Sequence, residues 1–274
     1  MNSEQTYFIS KLKKECKVYY FKNNLSGKNP NEMNDKELMV FVEKNNLEQT
    51  YAQILCETAM RFETIKNKFK AFDFPKDVLT ILDTLYAESK NSYLVGGCTR
   101  DVILNKTVKD FDFATDISYN RLGQIFPNSS FKETGTQFLV FNLNFNGVDY
   151  EIANFRKDSA ASDGRRPDSV QIGTIKDDAE RRDFTVNNIY WNRYDLYILE
   201  DSVDDILTET LKFVGTPEDR INEDLLRGIR FYRLLNSKQL KPDKESLRAI
   251  RRNWDKIITA NSHRIMLELE KMCL

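Results

Sequence analysis

One histidine, His263, is all that this sequence of 274 residues contains. A histidine-based triad or a multi-histidine metal site would have to be built around that residue alone, so the chemistry must run on carboxylates, arginines and oxygen-binding metals. The four cysteines, Cys16, Cys56, Cys98 and Cys273, lie far apart and form no C-x-x-C pair. That argues against a zinc ribbon or a disulfide framework and fits a reducing compartment. No apolar run approaches membrane-spanning length, and the opening residues Met1-Asn2-Ser3-Glu4-Gln5 are polar, without a signal-peptide pattern. A soluble cytoplasmic protein without a membrane partner is expected. An excess of one charge is missing too: Lys and Arg total 41 against 42 for Asp and Glu, a formal net charge of −1. A polyanionic partner is neither supported nor excluded, but its binding would require positive charge to be concentrated locally.

What is present divides into three textures. Residues 1–71 are rich in Lys, Glu and Asn, and Leu47, Tyr51, Ile54, Thr58, Phe62, Ile65 and Phe69 recur at steps of three or four, one face of a long amphipathic helix. The plain reading is a helix packed on its own protein. Residues 72–203 open with a second amphipathic helix, marked by Val78, Ile81, Leu82 and Leu85, and continue as short β-like runs. Tyr93-Leu94-Val95, Phe111-Asp112-Phe113, Phe138-Leu139-Val140-Phe141 and Val148-Asp149-Tyr150-Glu151-Ile152 read as strands of a mixed sheet with a helix between the first two. Residues 204–274 return to helical spacing through Leu225, Ile229 and Tyr232, then Leu247, Ile250 and Trp254, then Ile265 to Met272. The expected class is α+β, a mixed sheet with flanking helices between a mainly helical N-terminal extension and a helical C-terminal unit.

Three constellations carry chemistry. Gly96-Gly97 follows the first strand, and such a pair is a tight turn or a place where backbone amides approach a triphosphate. Arg100, in the first turn of the next helix, is placed for a phosphate or for an ion pair with Asp101. Asp110 and Asp112, two apart on a strand, would project from one face and offer hard oxygen ligands to two magnesium ions about 3.5–4 Å apart. Such a site wants a third carboxylate from a neighbouring strand; Glu151 and Asp149 share a face, and Glu151 is favoured. The second constellation, Arg181-Arg182-Asp183 with Asn187 downstream, suits phosphates and a ribose hydroxyl, or a surface ion-pair cluster. The third is Asn222 to Arg230. Placed on one helix, Asp224 and Arg227 would be neighbours, forming a salt bridge or a base reader. As a reader, the aspartate accepts from the amino group of cytosine or adenine while the arginine donates to the ring nitrogen. Uracil and guanine would leave buried groups unpaired.

Taken in order, these motifs resemble the class II tRNA nucleotidyltransferases (CCA-adding enzymes) and the related bacterial poly(A) polymerases. The resemblance covers about residues 74–274. It implies a polymerase-β-like nucleotidyltransferase head followed by a helical neck, with Asp110 and Asp112 as catalytic metal ligands; Glu151 stays the favoured further catalytic carboxylate on the strand-face reading alone. It assigns nucleotide binding to Gly96, Gly97, Arg100, Arg181, Arg182, Asp183, Asn187, Asp224, Arg227 and Arg230. Arg181 to Asn187 resembles the motif that selects ribonucleotides, and Glu223-Asp224-x-x-Arg227 the amino-acid template that selects CTP and then ATP. Asp163, Gly164, Arg165 and Arg166 are similar to a flexible loop associated with the switch to adenine, and the stretch from His263 to Leu269 to the motif that closes the neck. The implied reaction is template-independent, Mg2+-dependent addition of CCA to a tRNA 3′ end with release of pyrophosphate.

Three residues depart from the family pattern: Leu225 stands where proline is usual, Asn188 where alanine is usual and His263 where glutamate is usual. The helical body and tail that grip tRNA in the family have no counterpart in these 274 residues. Lys11, Lys13, Lys14, Lys17 and Lys22 of the extension are either a solvated basic face or replacement RNA contacts. Arg248, Arg251, Arg252 and Lys256 form a helical basic cluster able to track an RNA backbone. The alternatives are a poly(A) polymerase or other tailing enzyme, and a non-catalytic RNA-binding module.

Overall fold

The computed structural model describes residues 2–127, 140–158 and 170–273. Its N-terminal helices are written locally in the sequence. Helix α1 (Ser3–Lys22) starts on a capping box between Asn2 and Gln5, and α2 (Asp35–Lys44) on another between Asn34 and Glu37. The expected long helix is α3 (Glu48–Ala71), and it buries Ile54, Thr58, Phe62, Ile65 and Phe69. Its first half closes a small core with Phe8, Leu12, Cys16, Leu38 and Val42. Its second half enters the main core of the molecule, where the Phe69 and Phe74 rings stack on Trp191 at 4.9 and 4.7 Å.

After Pro75 the chain forms α4 (Lys76–Glu88), β1 (Ser92–Val95), α5 (Gly97–Ile103), β2 (Asp112–Thr115), α6 (Tyr119–Ile125), β3 (Val140–Phe145) and β4 (Val148–Asn154). A two-stranded piece, β5 (Arg156–Asp158) with β6 (Val170–Ile172), precedes α7 (Ile175–Glu180), a 3-10 turn at Thr185–Asn187, β7 (Ile189–Trp191) and β8 (Leu196–Ile198). The main sheet has the order β3-β4-β2-β1-β7-β8, with β2 and β4 parallel and the other pairs antiparallel. It is the mixed sheet expected, with a helix between its first two strands. One boundary is corrected. The second strand begins at Asp112 rather than before it, because β1 ends at Val95, the partner of Asp112, and Gly96 turns away with φ +85°. Asp110 therefore lies ahead of the strand instead of on it.

The C-terminal part comprises α8 (Glu200–Leu207), β9 (Thr210–Leu211), α9 (Pro217–Glu223), α10 (Leu226–Lys238), β10 (Lys241–Pro242), α11 (Lys244–Arg252), α12 (Trp254–Ile257) and α13 (Ser262–Cys273). The division expected at 203/204 falls inside α8. Asp204 on that helix accepts the Tyr7 hydroxyl at 2.7 Å and pairs with Arg61 at 2.9 Å and with Lys11. One of the extension's lysines is thus occupied in holding α1 to α8. The pattern read as one helix through Trp254 is broken at Asn253, whose side chain donates back to the Ala249 carbonyl at 2.9 Å. Gly228 lets α10 pack closely on Ile257: a Cβ there would sit 2.6 Å from its Cδ1, so the isoleucine side chain would have to shift. Phe213 stacked on Phe231, with Phe184 tilted against both, joins these helices to the same core as the sheet. Among the described residues no helix is long and apolar enough to cross a membrane.

Candidate active site

The carboxylates gather where β1 and β2 meet. Parallel pairing of β2 with β4 sets Asp112 directly beside Glu151. Asp149 lies two residues further along β4, opposite Asn144, whose amide it accepts at 2.6 Å. Of the two candidates for a third carboxylate, Glu151 is the neighbour of Asp112. Burial, then the charges of Glu151 and Asp110, push the Asp112 carboxyl up to about 6, against a smaller opposing pull from Arg182. Asp110 and Asp112 line a cleft of about 520 Å³ together with Gly97, Arg100 and Asn187. Its opposite wall comes from α10 and α13, through Arg233, Lys238 and Lys271. Gly96 keeps the corner open: a Cβ at that position would lie 3.5 Å from Arg182 Nη1 and 3.7 Å from Asp112 Oδ2.

Arg100 is nearly fully buried and makes the ion pair with Asp101, Nε to Oδ1 at 2.8 Å, while its Nη1 donates to Asn187 Oδ1 at 2.7 Å. Asp101 also holds Lys238 of α10 at 2.8 Å, so α5 is tied to the far wall of the cleft. Asn187 borders a second cavity of about 270 Å³, lined by Arg181, Arg182, Asp183, Asp224, Arg227 and Arg230. All these candidate nucleotide-binding residues are thus brought together around two adjoining cavities.

The pairing within the second cavity differs from the expected one. Asp224 and Arg227 do not share a helix. Helix α9 stops at Asp224, whose backbone is extended (φ −152°, ψ 106°), and α10 begins after it. An extended residue breaks the spacing of three that would have made the two side chains neighbours. Asp224 accepts from Arg230 Nη2 at 2.5 Å, whereas Arg227 donates to Asp183 at 2.6 Å and pairs with Glu223. Asp183 also holds Arg230 at 3.0 Å. The result is one network, Glu223–Arg227–Asp183–Arg230–Asp224, in place of an isolated pair. Leu225 has φ −56°, a value open to proline, so the departure at this position needs no different backbone.

Two residues absent from the sequence reading complete this region. Asp178 on α7 is 1% exposed and accepts Arg181 Nε at 2.9 Å, Arg182 Nη2 at 2.9 Å and the Tyr190 hydroxyl at 2.7 Å. Burial opposes its ionisation, but Arg182 and Arg181 outweigh that and hold its carboxyl down at about 2. The available signal was spacing, an aspartate three and four residues before two arginines. Tyr190 gave no signal, because its role depends on β7 lying beside β1. Asp163, Gly164, Arg165 and Arg166 lie outside the described residues. Arg248, Arg251 and Lys256 are exposed and Arg252 pairs with Glu218; none lines either cavity.

Comparison with known proteins identifies relatives of the chain and of its fold. Residues 92–210 match the family model described as the Poly A polymerase head domain. The chain is 31% identical over 217 residues to the CCA-adding enzyme of Enterococcus faecalis, covering 78% of this chain and 52% of that one. It is 34% identical over 199 residues to that of Leuconostoc citreum, covering 71% and 48%. It therefore spans about half the length of the curated relatives it matches. Among solved structures, the Bacillus stearothermophilus CCA-adding enzyme in complex with CTP superposes with a TM-score of 0.64 at 26% identity, over 72% of this chain and 48% of that one. The Thermotoga maritima CCA-adding enzyme complexed with tRNA shares the fold, with a TM-score of 0.61 at 20% identity, over 76% of this chain and 50% of that one. These likenesses place it: the chain belongs to the family of class II tRNA nucleotidyltransferases and bacterial poly(A) polymerases.

Proposed function

We propose that this protein is a template-independent nucleotidyltransferase that adds CTP and then ATP to a tRNA 3′ end. The observation that carries the reading is the junction of two cavities, one edged by crowded carboxylates and the other by arginines, across Asn187. Names of relatives support the same reading, since the proteins most like this chain include CCA-adding enzymes.

The donor set fits magnesium. Asp110, Asp112 and Glu151 offer only carboxylate oxygens, the ligands a hard cation prefers. Burial first and then the neighbouring Glu151 charge raise the Asp112 pKa, and a divalent cation bound beside it would favour the ionised form again. Among the described residues no three acidic, cysteine or histidine side chains are grouped closely enough to hold a metal ion by themselves, so a bound triphosphate would have to supply ligands as well. Asp110 and Asp112 would hold two Mg2+ ions, which lower the pKa of the attacking hydroxyl and neutralise the departing pyrophosphate. The chain's own residues provide position. Gly96 leaves room for phosphate beside Asp112, and Arg182 faces the same space. Asp183, Asp224, Arg227 and Arg230 line the place for sugar and base. The 3′-hydroxyl of the RNA attacks the α-phosphate in line; the new O–P bond forms as the bond to pyrophosphate breaks. Catalysis comes from alignment and electrostatics, with no protein nucleophile.

The test is incubation of the protein with Mg2+, a tRNA lacking its terminal triplet, and each nucleoside triphosphate singly and together. Two C residues with CTP, and one A added only afterwards, are expected. A long homopolymeric A tail without CTP incorporation would transfer the protein to the poly(A) reading. RNA binding with no incorporation would make it a non-catalytic module.

A further inference from the structure

The geometry points to Asp178, seconded by Tyr190, as a positioning residue that aims Arg182 at the triphosphate and keeps it off the metal carboxylate. This inference rests on the nucleotide reading of the site. A guanidinium has two hydrogen-bonding edges, and one edge of Arg182 is fully used inside the protein. Its Nε donates to the Tyr190 hydroxyl at 2.8 Å and its Nη2 to Asp178 Oδ2 at 2.9 Å. Tyr190 in turn donates to the same Oδ2 at 2.7 Å, closing a ring of three groups behind the arginine. Among the described residues no hydrogen-bond acceptor takes Nη1, the atom left facing the space over Gly96.

That direction matters because of what else is there. The position a Cβ would occupy on Gly96 lies 3.5 Å from Nη1 and 3.7 Å from Asp112 Oδ2. Both groups thus border the same small space, and an arginine free to rotate into it would pair with Asp112, neutralising that carboxylate and removing a phosphate donor together. Asp178 competes for the guanidinium from the opposite side. It is well placed to win: it is 1% exposed, and Arg181 and Tyr190 fix its two oxygens. Asp178 touches no reacting atom and works only through the arginines.

The test uses the full chain with Asp178→Asn and Tyr190→Phe, the second being the milder change should the first fail to fold. Calorimetry with CTP and with inorganic triphosphate is combined with steady-state kinetics on folded protein. Expected are about tenfold to hundredfold weaker triphosphate binding and a higher KM for CTP in Asp178→Asn, and a few-fold effect in Tyr190→Phe. The KM for the acceptor RNA stays unchanged, and Asp178→Glu recovers part of the loss. A purely structural role would lower melting temperature and leave nucleotide affinity of the folded fraction alone. The inference is overturned if folded variants bind triphosphate within twofold of the wild type, or if the wild type binds none. A wild type that binds triphosphate yet incorporates nothing would sink the transferase reading alone, and the variants would still decide the clamp.

Discussion

The two sides of the site solve opposite electrostatic problems. On the β2 side, Asp112 stands beside Glu151, and burial first and then the Glu151 charge push its carboxyl up to about 6, against an opposing pull from Arg182. On the α7–α10 side, Arg181 and Arg182 are held by Asp178, Arg227 by Asp183 and Glu223, and Arg230 by Asp183 and Asp224. The first region buries a carboxyl beside a like charge, which disfavours its ionisation and costs folding free energy. The second is satisfied within the protein, so its donors are oriented before any ligand arrives. A mutation should therefore separate activity from stability in the first region and join them in the second.

The largest effect expected is on the carboxylate side. Asp112→Ala should lower nucleotide incorporation by about a thousandfold or more, while melting temperature in Mg2+-free buffer holds or rises, because a destabilising charge has gone. Single-turnover rates and thermal melts check both halves. A parallel loss of stability would erase the contrast between the regions. Next, Asp183→Ala removes the shared partner of Arg227 and Arg230 and should cost about 3 kcal/mol in urea unfolding, together with weaker CTP binding. An intact midpoint would show that the arginine network is not structural.

The third prediction uses pH. Asp112 has a folded pKa raised above its unfolded value near 3.8, so its contribution favours folding below about pH 4 and is lost as pH rises through about 6. Mg2+ should therefore raise the melting temperature at pH 8 by a few degrees and have little effect at pH 4.5, and incorporation should decline below about pH 6. Equal Mg2+ stabilisation at both pH values would place metal binding elsewhere. A smaller effect is expected from Asp224→Ala, which frees Arg230: preference for CTP over UTP should fall by about tenfold, read from kcat/KM ratios. Smallest is Leu225→Pro. Leu225 has φ −56° and the preceding Asp224 is extended, so the change should stay within about 1 kcal/mol by urea unfolding. A larger loss would mean that the α9–α10 junction depends on the leucine side chain.

How much of this was legible beforehand depended on distance along the chain. Helix α3 was readable because Tyr51, Ile54, Phe62, Ile65 and Phe69 recur at helical spacing within one element. The turn at Gly96 and the helix after it were readable for the same local reason. The Asp224–Arg227 pairing was misread because nothing in the residue spacing announces the extended backbone at Asp224. The short pairing of β9 with β10 was missed because two-residue strands carry no alternation. Asp178 was within reach of a spacing argument, since it stands three and four residues before Arg181 and Arg182.

By itself, then, the sequence determined the α+β class, the identity of the chemistry-bearing residue types and their order, because those depend on periodicity and local turns. Only the tertiary structure decided that Glu151 stands beside Asp112, that Arg227 answers to Asp183, and that one buried carboxylate governs two arginines. Each of those facts comes from strands or helices meeting across long separations, and side-chain partners there are set by packing rather than by spacing.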